Sequence, residues 1–226
     1  MEKETVIENP VSHASGKYNK LFVQDDYLDL WGEDASYCTT GQFAGLGRGF
    51  VKHCGPTAVT NVLITFMNRA FAEGRSAEKP DNGMKSDIFL KVSEIGSRKG
   101  IYWNTDFMKM FGGTFDTFTK VLLRSGLREF GLSDIQAMRR RRATEKNFKK
   151  CLEAGCICYL QLRFDKPYGS HHVVCYGYSY VKCEESGKRY MYLKIADGWS
   201  TTPRYMEASD MMLNMFIPVK TVSKIA

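Results

Sequence analysis

The clearest structural signal in the chain is the segment His53-Cys54-Gly55-Pro56-Thr57-Ala58-Val59-Thr60-Asn61-Val62-Leu63. From Ala58 to Phe71, apolar residues recur in adjacent pairs about one helical turn apart, which predicts an amphipathic helix over residues 54–71 with its apolar face in the core. Pro56 suits the first turn, where the N–H that proline lacks would have no partner. Cys54 is therefore expected at the N-terminus of this helix.

A cysteine in this position is predicted to be tuned for reaction. The first N–H groups of a helix lack internal partners and the peptide dipoles favour negative charge there, so a thiolate is stabilised. The same N–H groups can hold an oxyanion, and Gly55 is expected to let a substrate backbone come close. The alternative is a small buried residue that happens to precede a helix. A partner base is needed to favour the catalytic interpretation.

The composition is typical of a globular protein, with 226 residues of which 43% are hydrophobic and 25% charged. We predict one domain over residues 1–226, with a flexible polar segment at 1–20. Seven irregularly spaced cysteines favour free thiols in a reducing compartment. The chain as written has no signal-like apolar core and no run that could span a membrane, so a cytoplasmic protein is predicted, or a secreted one if a leader has been removed.

The net charge of +7 raises the question of an anionic partner. The densest basic run is Arg139 to Arg142, which is one form of nucleic-acid or membrane footprint. A solvated basic helix face is the alternative, because the run lies inside a predicted helical stretch over Asp134 to Ala154. No phosphate loop, zinc-finger spacing or RNA-binding aromatic motif accompanies it, so nucleic acid is not expected as a partner.

The second half of the chain changes from helical to strand-forming patterns. Four segments rich in aromatic and β-branched residues predict antiparallel strands: Cys156 to Phe164, His171 to Lys182, Arg189 to Ala196 and Leu213 to Val222. A polar turn at residues 184–188 joins the second and third into a hairpin. This pairing places Asp197 within a rung or two of His171, so an imidazole, a carboxylate and the Cys54 thiol are expected to converge.

Two histidines stand together at this strand entrance. His171 and His172 should point to opposite faces, so only one of them is expected to face Cys54. A metal site is not predicted, since the cysteines lack paired C-x-x-C spacing. Gln42, in the glycine-rich loop before Cys54, is a candidate oxyanion donor, and Gln24 is a weaker substitute.

The sequence resembles papain-like cysteine peptidases, in particular the bacterial branch that processes double-glycine bacteriocin leaders. Three segments carry the resemblance: Cys54-Gly55-Pro56-Thr57-Ala58, His171-His172-Val173-Val174-Cys175-Tyr176-Gly177-Tyr178 and Ala196-Asp197-Gly198-Trp199. The family histidine stands six residues before the strand glycine, which selects His171, and the third triad member precedes Gly-Trp, which selects Asp197. The oxyanion glutamine of relatives stands a few residues before the cysteine, whereas Gln42 lies twelve residues upstream.

The resemblance implies an α+β papain-like fold, with a mainly helical N-terminal half packed on a C-terminal antiparallel sheet over residues 156–222. It also implies a peptide or protein substrate, no cofactor, and hydrolysis through a Cys54 thioester, with His171 as base and acid and Asp197 as orienter. Trp199 is expected to shield the His171 and Asp197 contact from water. The alternatives are an amidase or acyltransferase with the same triad, an inactive peptide-binding relative, or a basic interaction module.

Overall fold

The structure, a computed structural model, describes residues 10–11, 22–47, 49–105, 113–165, 168–183, 187–208 and 214–222. The helices are α1 (Thr40–Phe43), α2 (Cys54–Ala72), α3 (Asn82–Arg98), α4 (Thr119–Glu129) and α5 (Glu145–Glu153). The strands are β1 (Pro10–Val11), β2 (Phe22–Asp29), β3 (Tyr102–Trp103), β4 (Gly113–Thr114), β5 (Ile135–Ala137), β6 (Arg141–Arg142), β7 (Ile157–Asp165), β8 (Gly169–Cys183), β9 (Arg189–Ala196), β10 (Arg204–Glu207) and β11 (Met215–Thr221). The predicted α+β class, with an antiparallel sheet, is confirmed.

The helix α2 is buried along most of its length. Of the residues predicted as its core face, Val59 and Val62 have no exposed surface, whereas Phe71 at the end of the helix is 40% exposed. Four polar residues of the helix are also buried: Thr57, Thr60, Asn61 and Thr65. Asn61 Oδ1 accepts hydrogen bonds from Ser36 Oγ at 2.8 Å and from the Cys38 N–H at 2.7 Å, and its Nδ2 donates to the Cys38 carbonyl. The polar side of α2 therefore anchors the segment before α1, because buried polar groups are stable where they are hydrogen-bonded.

The main sheet runs in the order β1-β10-β9-β8-β7-β11-β5, with β2 paired to β8 and β6 to β11. The long strand β8 pairs with β7 through its first residues and with β2 through its second half. A Cβ at Gly177 would lie 2.2 Å from the Leu28 carbonyl oxygen, so only glycine allows β2 to approach here. The pairing of Val174 with Ala196 confirms the predicted hairpin and brings the start of β8 beside the end of β9. Of its turn, residues 184–186 lie outside the described ranges.

Two apolar cores lie on opposite faces of the sheet. On one face, the helices α2, α3 and α4 pack against the sheet residues Tyr159, Val174 and Tyr176. On the other face, α5 contributes Phe148 to the core. The neighbouring residues Val173 and Val174 belong to different cores, as strand alternation requires. The helix α2 therefore packs on the face of β8 that carries the even-numbered residues of this segment.

The predicted helix over Asp134 to Ala154 is wrong in its first half. Residues 135–137 and 141–142 form β5 and β6 on β11, and the helix begins only at Glu145, where Thr144 Oγ1 accepts the Asn147 N–H. Hydrogen bonding to β11 replaces the local helical preference, because an exposed strand edge offers unpaired backbone groups. The basic run therefore lies at the sheet rather than on a helix face.

The N-terminal region contributes more structure than the sequence predicts. Pro10 and Val11, within the segment expected to be flexible, form β1 parallel to β10, while residues 1–9 and 12–20 lie outside the described ranges. The strand β2, which the sequence analysis did not identify, pairs with β8 over Phe22–Asp29. No helix within the described residues has the length and apolar character needed to cross a bilayer.

Candidate active site

Cys54 is the first residue of α2, as predicted, and its side chain is half-buried. The backbone N–H groups of His172, Gly55 and Cys54 itself lie close enough to the thiol to lower its pKa. The thiol therefore faces the start of β8, where both predicted candidate bases lie.

Gly55 has a different role from the one predicted. A Cβ at this position would lie 2.1 Å from Oγ1, 2.6 Å from Cβ and 2.8 Å from Cγ2 of Thr114. The space beside Gly55 is thus filled by β4 and is closed to a substrate backbone. Glycine is required here by the packing of β4 on the helix N-terminus.

A cavity of about 800 Å³ opens at this end of α2. Its lining includes Cys54, His171, His172 and Trp199, together with the segment from Gly113 to Phe118 that contains β4. Strand alternation predicts that only one histidine faces Cys54, yet both His171 and His172 belong to the lining of this cavity. The predicted nucleophile and the predicted base therefore line one open cavity.

The ring of His171 is fixed on three sides. Its Nε2 lies 2.6 Å from the backbone carbonyl oxygen of Asp197. Its ring stacks on Tyr168 with centroids 5.5 Å apart and lies 4.8 Å from the Trp199 ring. Because a carbonyl oxygen can only accept, Nε2 carries the proton and Nδ1 is the nitrogen left to act as a base. Trp199 lies where the sequence analysis expected it, against the His171 ring.

The carboxylate of Asp197 is used differently from the prediction. It is buried, and it accepts the N–H groups of Trp199 and Ser200, both at 2.9 Å, and the Tyr168 hydroxyl at 3.2 Å. The guanidinium of Arg204 lies 3.6 Å away. The side chain thus fixes the turn after β9, and its own carbonyl oxygen orients the imidazole. Orientation is retained, and the negative charge of Asp197 still raises the pKa of His171, which offsets part of the effect of burial.

A second histidine–carboxylate pair lies in the same cavity. His172 Nε2 is 3.3 Å from Oδ1 of Asp116, and its buried Nδ1 has no hydrogen-bond partner within the described residues. Asp116 follows β4 and was missed by sequence reasoning. Its only sequence signal is a carboxylate shortly after Gly112-Gly113, which does not indicate a partner far along the chain.

Burial sets the protonation states of these groups. It raises the pKa of Cys54 to about 11, with the nearby charge of Asp116 adding to the effect and the backbone N–H groups only partly offsetting it. Burial also lowers the pKa of His171 and lowers that of His172 to about 4. The isolated groups are therefore a thiol and two neutral imidazoles near neutral pH, in contrast to the thiolate expected from the helix N-terminus alone.

The candidate oxyanion donor Gln42 has another function in the structure. Its Oε1 accepts the Thr39 N–H at 2.7 Å, and Thr39 Oγ1 accepts the Gln42 N–H in return. This reciprocal capping holds the start of α1, and the exposed Gln42 is not among the described residues that line the cavity. The weaker candidate, Gln24, lies on β2, where it pairs with Val181 of β8.

The sequence also raised the cysteines as metal ligands and the basic run as an anion-binding surface. Within the described residues, no group of three or more histidine, cysteine or acidic side chains is arranged to hold a metal ion. The cysteines Cys151, Cys156, Cys158 and Cys175 lie in the core on the opposite face of the sheet from α2. From the basic run, Arg140 donates to the Asp116 carbonyl oxygen at the cavity wall.

Compared with protein-family models, with curated proteins and with solved structures, the chain shows no match. The candidate site is therefore defined by its own geometry: a cysteine at a helix N-terminus, an oriented histidine and a covering tryptophan around one cavity.

Proposed function

We propose that the protein is a cysteine-dependent hydrolase of papain-like type, acting on peptide bonds. One observation carries the proposal: Cys54 and a histidine with a fixed tautomer, His171, line the same cavity. Nucleophilic cysteine catalysis requires this combination of a thiol, a base and a group that orients the base.

The reaction follows from the roles of these atoms. Nδ1 of His171 accepts the thiol proton while the sulfur of Cys54 attacks the substrate carbonyl carbon, and the N–H of Cys54 stabilises the oxyanion. When the tetrahedral intermediate collapses, the C–N bond breaks and the leaving amine takes the proton from His171. The acyl group remains on Cys54 as a thioester. Water, deprotonated by His171, then releases the acid and regenerates the thiol. The Asp197 carbonyl keeps the ring in this tautomer throughout.

The high pKa of Cys54 makes proton transfer to His171 part of the attack, because little free thiolate is present near neutral pH. The same observation favours a second candidate, a peptide-binding domain without turnover. An amidase or acyltransferase would use the same steps on a non-peptide acyl donor, and a panel of acyl donors and amine acceptors separates it from a peptidase.

The proposal is tested by two measurements on the purified protein. A fluorogenic peptide library should be hydrolysed by wild-type protein and by Cys151→Ala, but not by Cys54→Ala. Cys151 is the matched control because its pKa is lowered to about 7 while it lies in the other core. Hydrolysis that survives Cys54→Ala removes the proposal.

The rate of alkylation by iodoacetamide, followed at each cysteine by mass spectrometry, gives the second measurement. For a hydrolase, Cys54 should react faster than the other six cysteines near neutral pH, and His171→Ala should abolish this advantage, because no imidazole then takes up the thiol proton during the attack. A Cys54 that reacts only near its own high pKa in both proteins, with no hydrolysis, supports the binding domain instead.

A further inference from the structure

Arg163 is a charged residue of the cavity that the catalytic steps do not use. It lies on β7, and its partly exposed guanidinium lines the cavity that contains Cys54. Its Nε donates to Oδ2 of Asp116 at 2.6 Å. A guanidinium is a planar fork of five N–H donors, so binding through Nε leaves the amino groups at Nη1 and Nη2 to donate to a second anion.

The carboxylate that holds Arg163 is itself fixed. The backbone carbonyl of Asp116 accepts hydrogen bonds from Gln161 Nε2 and from Thr119 Oγ1, both at 2.8 Å. Its second carboxylate oxygen lies beside His172 Nε2. The position of the guanidinium is therefore set before any ligand arrives, which lowers the entropic cost of binding.

The contacts of His172 connect Arg163 to the nucleophile. The ring of His172 lies 3.3 Å from Asp116, and the backbone N–H of His172 lies close enough to the Cys54 thiol to lower the pKa of that thiol. Arg163 and Cys54 are thus separated by one histidine and one carboxylate. Both residues line one cavity, so a ligand bound at Cys54 shares that space with Arg163.

The charges around the cavity favour an anionic ligand. Among the described lining residues, Lys52 and Arg163 are cationic and Asp116 is the one carboxylate, while Arg140 adds a further positive charge beside it. Bidentate pairing with a planar carboxylate is the contact for which a guanidinium is best suited.

We propose that Arg163, held by Asp116, is a carboxylate-binding subsite of the Cys54 cavity, so that the preferred substrates are acidic peptides. The substrate class rests on the proposed function, whereas the subsite is measured without turnover. The carboxylate comes either from an acidic side chain or from the C-terminus of the peptide.

The test compares the labelling rates of Cys54 by paired maleimides. The maleimide nitrogen carries a carboxymethyl, a carboxyethyl or a carboxypentyl arm, and each acid is matched with its neutral primary amide. In wild-type protein the acid should react about tenfold faster than its amide for at least one arm length, because a charge-assisted contact adds to binding. In Arg163→Met the ratio should fall to about twofold or less, since only the more flexible Lys52 remains at the cavity.

Two further variants make the comparison specific. Arg98→Met removes an exposed arginine of α3 that is not among the lining residues and should keep the wild-type ratio. Arg163→Lys keeps the charge but lacks the fork, so an intermediate ratio is expected, and this variant replaces Arg163→Met if that protein does not fold. An acid-to-amide ratio that is the same in wild type and in the Arg163 variants overturns the subsite.

Protection experiments identify the source of the carboxylate. One peptide carries an internal glutamate and an amidated C-terminus, a second carries glutamine and a free C-terminus, and a third carries glutamine and an amidated C-terminus. Protection of Cys54 from a neutral maleimide by the first or the second assigns a side-chain or a terminal carboxylate. If the third peptide, which has neither carboxylate, protects Cys54 equally well, the preference for a carboxylate is wrong. If the protein hydrolyses peptides but its acid-to-amide labelling ratio does not depend on Arg163, the subsite is wrong and the proposed function stands. If the ratio depends on Arg163 but no peptide is hydrolysed, the proposed function is wrong and the subsite stands.

Discussion

The substitution Gly55→Ala tests how the nucleophile is held at the start of α2. An added Cβ would lie 2.1 Å from Thr114 Oγ1 and 2.6 Å from Thr114 Cβ. Rotation of the threonine side chain cannot relieve the second contact, because Thr114 Cβ belongs to the strand position itself. The backbone of β4 must therefore move away from the helix.

Helix propensity and steric overlap have opposite effects on the stability of the Gly55→Ala variant. Alanine is favoured over glycine inside a helix by about 1 kcal/mol, and less in the first turn. Forcing extra volume into a packed site costs about 1–3 kcal/mol, and a contact this short places the cost at the upper end. We expect Gly55→Ala to lower the free energy of unfolding by about 2 kcal/mol.

Gly83→Ala is the matched control. Gly83 is also the second residue of its helix, but its Cβ would meet only Asp81 Oδ1 at 3.4 Å. Denaturant unfolding should show this variant to be as stable as wild type or slightly more stable.

A double-mutant cycle isolates the contact. Thr114→Gly removes all three clashing atoms, so Gly55→Ala should cost much less in that background, with a coupling energy of about 2 kcal/mol. If Gly55→Ala and Gly83→Ala are equally stable, or if the cycle shows no coupling, the packing of β4 on the nucleophile helix is not what requires glycine.

Three further predictions concern the histidines. His171→Ala should lower kcat/KM for peptide hydrolysis by about 10²–10⁴-fold, whereas His172→Gln should lower it by less than about tenfold, and the reverse order would make His172 the base. Trp199→Ala should move the acidic limb of kcat/KM to higher pH, because burial lowers the pKa of His171 and loss of the covering ring reduces that burial; an unmoved limb contradicts the covering role. The pKa of His172 is lowered from 6.5 to about 4 in the folded protein, so the unfolded state binds more protons between these values. The free energy of unfolding should therefore fall between pH 6.5 and 4, on the order of 3 kcal/mol, and His172→Gln should reduce that loss when unfolding is followed against pH.

Local patterns predicted much of the fold. The helical period and Pro56 located α2 and placed Cys54 at its first residue, as the structure has it. Segments rich in aromatic and β-branched residues, joined by a polar turn, located β8 and β9, and their pairing brings His171 to Asp197. These features are encoded within about ten to thirty residues, so periodicity and turn chemistry are sufficient to identify them. The same local reasoning failed at residues 135–142, where pairing with β11 overrides helical preference.

The chemical details of the site were decided by the tertiary structure. The sequence by itself determined which residues occupy the helix start and the strand ends. Only the folded chain brings Asp116 to Arg163, 47 residues away, and fills the space beside Gly55 with Thr114. It also turns the carbonyl of Asp197, rather than its carboxylate, towards His171. Such contacts join loops that are distant in sequence, and their geometry depends on how whole elements pack, for which a single sequence carries no periodic signal.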